Sequence, residues 1–132
     1  MARILIVDDD PDVVEACRLV LEQEGHVVTH AANRVEGMAA LAGDEPDLLI
    51  LDVIMDQPDD GIAMAQELRR RAFDAPIIML TSIGKVTGFA YGSNPELVPV
   101  DYFHEKPIEP AVLVCKVAEL LARRPQPVGK EA

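Results

Sequence analysis

The segment "PDLLILDVIMDQPDDG", residues 46 to 61, decides how the chain is read. Leu48 to Leu51 is an unbroken apolar run that stops at Asp52, and a turn-rich stretch with Asp56, Asp59 and Asp60 follows. Such a run reads as a strand buried on both faces. A carboxylate at its end is costly to desolvate, so Asp52 is either solvated at the strand tip or has a partner.

The same pattern recurs outward from this segment. Ile4 to Val7, Val27 to Thr29 and Ile77 to Leu80 also read as strands buried on both faces, and Val100 to Phe103 is a weaker fifth candidate. Helical patterns lie between them. In "PDVVEACRLVLEQEG", Pro11 suits the first turn and Gly25 the end, with Val13, Ala16, Cys17, Val20 and Leu21 on one apolar face. "NRVEGMAALAGDE" offers Val35, Met38, Ala39 and Ala42, and "GIAMAQELRRRAF" offers Ile62, Ala65 and Leu68. In the latter, Arg69 to Arg71 fall in the last turn, where cations suit the helix dipole. "EPAVLVCKVAELLARR" contributes Val112, Cys115 and Leu120, and "PQPVGKEA" reads as a frayed tail over residues 125–132. Alternating strands and helices imply an α/β domain with a parallel sheet and helices on both faces.

Length and composition narrow the functions. The 132 residues suit one domain, residues 1–124, and 49% apolar content with only 4% aromatics makes its core aliphatic. A formal charge of -11 repels nucleic acid and anionic membranes, so neither is an expected partner, whereas cations and basic protein faces are. Cys17 and Cys115 each fall within an apolar helical pattern and read as buried free thiols. With a strand candidate directly after Met1 and no apolar run of membrane-spanning length, a soluble cytoplasmic protein is expected. His26 and His30 flank the second strand and read as surface residues, and His104 joins no motif.

In sheets of this kind the site lies beyond the carboxyl ends of the strands. There the sequence places Asp8, Asp9 and Asp10 after the first strand and Asp52 after the third. Thr81 and Ser82 follow the fourth, and Lys106 and Pro107 the fifth. Asp10 before Pro11 is placed as a helix N-cap, which leaves Asp8 and Asp9 for another purpose. Clustered carboxylates repel unless a cation intervenes, and Mg²⁺ is the usual choice beside a phosphoryl group. Lys106 and Thr81 supply an ammonium and a hydroxyl for phosphoryl oxygens. The set suits phosphoryl transfer with Asp52 as nucleophile.

"ILIVDDDP", "LLILD", "IIMLTS" and "EKP", in that order, make the chain resemble a response-regulator receiver domain almost end to end. The resemblance implies a flavodoxin-like doubly wound domain, with five parallel strands in the order 2-1-3-4-5. It implies that Asp52 accepts phosphate from a histidine kinase or phosphotransfer protein. Mg²⁺ would be held by Asp8, Asp9, Asp52 and the backbone carbonyl of Ile54, with Asp9 the direct ligand and Asp8 acting through water. Thr81 and Lys106 would contact the phosphoryl group, Thr81 and Phe103 would form the switch, and the Lys106-Pro107 bond would be cis. In this family the positions two after the acceptor and two after the threonine tune water's access to phosphorus; here they are Ile54 and Ile83, so the resemblance implies a long-lived phosphoryl group.

The chain departs from the family in three places. The loop "DVIMDQPDDG" is about one residue longer than usual, with its proline displaced to Pro58. The switch aromatic is Phe103 rather than tyrosine, although Tyr102 is adjacent. The helix expected between the fourth and fifth strands is degenerate, because Gly84, Gly88, Gly92, Pro95 and Pro99 interrupt it. Residues 84 to 100 therefore read as an irregular segment that responds to phosphorylation. The leading function is a phosphoacceptor, not an enzyme, that signals through an unnamed downstream protein. The alternative is a docking module with the same fold and no need of phosphate.

Overall fold

The structure is a computed structural model that describes residues 2–43, 45–52, 60–81, 100–105 and 108–123, with the backbone alone for Asp60 and Thr81. Among the described residues there are five strands and four helices. They are β1 (Arg3–Val7), β2 (Val27–Ala31), β3 (Leu48–Asp52), β4 (Ile77–Thr81) and β5 (Tyr102–Glu105). The helices are α1 (Pro11–Gln23), α2 (Arg34–Gly43), α3 (Asp60–Arg70) and α4 (Pro110–Arg123). All pairings are parallel, as the alternating pattern implies, and the sheet order is β2-β1-β3-β4-β5, as the family resemblance implies.

Strand alternation sorts the core into two layers. Leu5, Val7, Leu49, Leu51, Ile77 and Met79 pack with Leu41, Ile62, Met64, Ala65 and Leu68 of α2 and α3. Ile4, Ile6, Leu48, Ile50, Ile78 and Leu80 pack with Val14, Cys17, Leu21, Leu113, Val117 and Leu120 of α1 and α4. Helices therefore cover both faces. The three central strands are buried on both sides, which explains their continuous apolar runs.

The helix ends follow their local chemistry. The Asp12 N–H donates to Asp10 Oδ1 at 3.0 Å, so Asp10 is the N-cap of α1, with Pro11 in the first turn. Gly25, just past α1, adopts φ +90°, where a side chain would be strained. Helix α3 ends in a Schellman motif: the Phe73 N–H donates to the Leu68 carbonyl at 2.9 Å and the Ala72 N–H to the Arg69 carbonyl at 3.1 Å. The left-handed position is filled by Ala72, at φ 66°, rather than by glycine.

Several side chains fall elsewhere than the sequence pattern places them. Strand β2 is at the sheet edge and mostly exposed, not buried on both faces, because a single neighbour and partial helix cover leave one edge to solvent. His30 lies within β2 rather than beside it. His26 is half-buried, not a plain surface residue, and its Nδ1 accepts the Ala2 N–H at 3.1 Å. On α1 the buried positions are Val14, Cys17 and Leu21, while Ala16 is exposed. On α2, Gly37 and Leu41 face the core, Ala39 and Ala42 are exposed, and Val35 is 77% exposed. The α2 face is displaced because a glycine makes its closest approach: a Cβ on Gly37 would meet Met64 Cε at 2.9 Å and Val7 Cγ2 at 3.0 Å.

Cys17 is a buried free thiol as expected, but Cys115 is exposed, since Leu113 and Val117 take the inward positions of α4. The fifth strand begins two residues later than its apolar run, because Asp101 is held by side-chain bonds before the ladder starts. The degenerate helix and the irregular segment lie outside the described residues, apart from Val100, and so does the 125–132 tail. No helix among the described residues is long and apolar enough to cross a membrane.

Candidate functional site

The parallel register carries β1 and β3 to one edge together. Ile6 pairs with Ile50 and Val7 with Leu51, so the chain reaches Asp8 beside Asp52. Asp8 continues the ladder, its N–H donating to the Ala31 carbonyl at 3.1 Å. Its Oδ1 in turn accepts the Asp10 N–H at 2.9 Å, and this local turn fixes the carboxylate. Asp52 is the last residue of β3 and pairs with Leu80, one residue before the end of β4.

Carboxylate oxygens of Asp8, Asp9 and Asp52 lie within 4.8 Å of one another. Among the described residues this is the one such cluster of acidic, histidine or cysteine ligands. Asp8 and Asp52 are the two buried charged residues in the described core, at 3% and 5% exposure, while Asp9 is exposed. Asp52 is therefore not solvated at the strand tip. At an effective dielectric of about 20, two unit charges this close repel by roughly 3 kcal/mol. An all-oxygen, anionic donor set of this kind fits a hard divalent cation such as Mg²⁺, which Asp8, Asp9 and Asp52 would hold. An open groove of about 430 Å³ starts at Asp8 and Asp9 and passes Pro11, Val14 and His30. Arg18 lines it too, paired with Glu15 at 2.6 Å.

The other expected site residues are placed in part. Thr81 ends β4, and its backbone pairs with Glu105 at the same sheet edge as Asp52. Ile54, Ile83, Lys106 and the Lys106-Pro107 bond lie outside the described residues. Phe103 is half-buried against the α2 and α3 layer, together with Val100 and Met38. Tyr102 belongs to the opposite layer. There its hydroxyl pairs with His104 Nδ1 at 2.8 Å, the two rings stack, and Lys116 Nζ sits 4.6 Å from the phenol ring. The adjacent tyrosine therefore cannot stand in for Phe103.

Sequence reasoning missed a polar junction at the opposite end of the sheet. Arg69 reaches the Phe73 and Ala75 carbonyls at 2.7 and 3.0 Å and Asp101 Oδ2 at 3.0 Å. Its partners are scattered along the chain, so no local motif announces it; the arginine run and the aspartate before the fifth strand were the available signals.

Comparison with known proteins agrees with this geometry. The response regulator receiver domain family matches residues 4–118. The chain belongs to this family. Its receiver is 35% identical over 129 residues to the DNA-binding dual master transcriptional regulator RpaA of Synechocystis, covering 93% of this chain and 50% of that protein. It is 32% identical over 123 residues to the response regulator SaeR of Staphylococcus aureus, covering 93% and 52%. The chain thus spans about half the length of the curated relatives it matches. Among solved structures, a CheY-like receiver domain protein from Methanospirillum hungatei superposes with a TM-score of 0.83 at 26% identity, covering 100% of this chain and 99% of that one. A two-component response regulator from Clostridium difficile gives 0.83 at 25% identity, covering 96% and 100%. Both agree with the order β2-β1-β3-β4-β5 as a receiver fold.

Proposed function

We propose that Asp52 is the phosphoacceptor of this receiver, charged by a histidine kinase or phosphotransfer protein in a Mg²⁺-dependent step. The observation that carries this reading is the convergence of Asp8, Asp9 and Asp52 within 4.8 Å, two of them buried. A docking module that never meets phosphate has no use for that cluster, whose mutual repulsion opposes folding. Asp8, Asp9, Asp52 and the Ile54 carbonyl would hold Mg²⁺, which supplies charge neutralisation around the phosphoryl oxygens when bound.

A carboxylate oxygen of Asp52 attacks phosphorus, and the bond to the donor's leaving atom breaks with its electron pair departing on that atom. The product is an acyl phosphate on Asp52. By resemblance to the family, Lys106 and Thr81 would contact the phosphoryl oxygens, and Thr81 and Phe103 would relay the change; Thr81 ends β4 at the same sheet edge as Asp52. Output then passes to a downstream protein. The net charge of -11 favours a basic protein face over nucleic acid as the direct contact of these 132 residues. That expectation does not fit the description of RpaA as DNA-binding, which is said of a protein about twice as long.

The test is intact mass after incubation with acetyl phosphate and Mg²⁺. One phosphoryl adduct is expected, absent in Asp52→Asn and with excess chelator. Undiminished labelling of the asparagine variant refutes the assignment.

A further inference from the structure

Strand β5 has a weakly specified register. Its four residues are Tyr102, Phe103, His104 and Glu105, none of them fully buried. Tyr102 packs into one layer of the core and Phe103 into the other. A slip of one residue exchanges two aromatic rings between two apolar layers, so the hydrophobic pattern discriminates poorly between registers. A slip would still carry Phe103 to the wrong face and move the end of the strand by about 3.3 Å.

The discrimination is supplied just before the strand. The Asp101 N–H donates to the Ile77 carbonyl at 2.9 Å, and the Ile77 N–H donates back to Asp101 Oδ2 at 2.8 Å. The same oxygen takes Arg69 at 3.0 Å. Exposed ion pairs usually contribute little, because two long side chains must be ordered to form them. Here the guanidinium is already fixed on the Phe73 and Ala75 carbonyls and lies 5.9 Å from the centre of the Phe73 ring. A shift in either direction brings Val100 or Tyr102 to the position of Asp101, and neither has a carboxylate.

We infer that Asp101 and Arg69 are positioning residues for the phosphorylation site: they lock the register of β5 against β4, and with it the face taken by Phe103 and the point from which the chain continues to Lys106. The effect on phosphorylation rests on the phosphoacceptor reading above; the lock itself does not.

The experiment measures the rate of adduct formation with acetyl phosphate and Mg²⁺ by intact mass. The variants are Asp101→Ala, Arg69→Ala, Asp101→Asn and Arg70→Ala, whose exposed bridge to Glu67 serves as control. Asp101→Ala and Arg69→Ala should slow labelling by about tenfold, as small displacements at a transfer site do. Asp101→Asn keeps an oxygen for the Ile77 N–H and should retain most of the rate, and Arg70→Ala should match wild type. In a Lys106→Ala background the Asp101→Ala loss should shrink to less than about twofold, because the inferred effect of Asp101 on the rate runs through where the chain continues to Lys106. Full labelling of Asp101→Ala, or an equal loss in both backgrounds, overturns the positioning role. Failure of the phosphoacceptor reading looks different: wild type stays unlabelled, or Asp52→Asn is labelled. The register is also read without phosphate, from the NMR contact between the Phe103 ring and the Met79 methyl, which are opposite in register. That contact should be present in wild type and lost in Asp101→Ala; its persistence overturns the lock.

Discussion

Replacing Gly37 by alanine sets helix propensity against packing. In an exposed helix interior the change favours folding by about 1 kcal/mol. Gly37 is instead buried in α2, and its new Cβ would lie 2.9 Å from Met64 Cε and 3.0 and 3.2 Å from the two Val7 methyl carbons. The methionine end is flexible and can rotate, although Met64 is fully buried. Val7 cannot give so easily, because a β-branched side chain is stiff at χ1 and Val7 is fully buried in a central strand. Overpacking of this kind costs roughly 1–3 kcal/mol, so the sum is a net loss of about 1 kcal/mol. In a domain of this size that lowers the melting temperature by roughly 3–5 °C. Urea and thermal unfolding of Gly37→Ala measure it. Gly43→Ala, where the added Cβ meets nothing within 4 Å, is the control without a clash. Val7→Ala combined with Gly37→Ala should cost less than the sum of the two single changes. A Gly37→Ala protein as stable as wild type, with additive behaviour in the double variant, would refute the close approach.

Ala72→Gly should stabilise the fold by on the order of 1 kcal/mol, because Ala72 holds a left-handed φ of 66° at the end of α3; an unchanged urea midpoint would contradict this. Burial, reinforced by the nearby amino-terminal charge and only partly offset by Glu24, holds the His26 imidazole below its usual pKa. A neutral His26 therefore contributes stability that is fully present above about pH 6.5 and is lost as pH falls through the lowered native value. Comparing urea midpoints between pH 7.5 and pH 5 should show a smaller drop for His26→Gln than for wild type. On the phosphoacceptor reading, and with Ile54 and Ile83 at the positions that the family resemblance assigns to water's access, Ile54→Asn with Ile83→Glu should speed loss of phosphate from Asp52, because an isoleucine cannot hydrogen-bond an attacking water; equal lifetimes by intact mass would contradict this.

The parts of the fold legible in the sequence are those where one physical demand dominates. Leu48 to Leu51 and Ile77 to Leu80 are buried on both faces, so burial alone writes their pattern, and the carboxylate that ends β3 stands out against it. Asp10 and Pro11 announce the start of α1 through purely local chemistry. Where two demands compete, the pattern misleads. Val27 and Val28 are as apolar as a central strand, yet β2 lies at the edge. Val35 looks inward-facing, but the contact that seats α2 is made by Gly37, whose contribution is the absence of a side chain. Cys115 has apolar neighbours and still points outward, because the α4 face is set by Leu113 and Val117 one turn apart. Arg69 and Asp101 are illegible for a different reason: they are 32 residues apart and meet only after the sheet has formed.

The two layers of the core share no residue, and only the backbone of the sheet stands between them. A change of side-chain volume among Val14, Leu21 and Val117 is felt first by α1 and α4, and reaches Leu41, Met64 and Leu68 only through the backbone of the shared strands. One surface can be remodelled to suit a new partner while the side chains that pack the other keep their own neighbours.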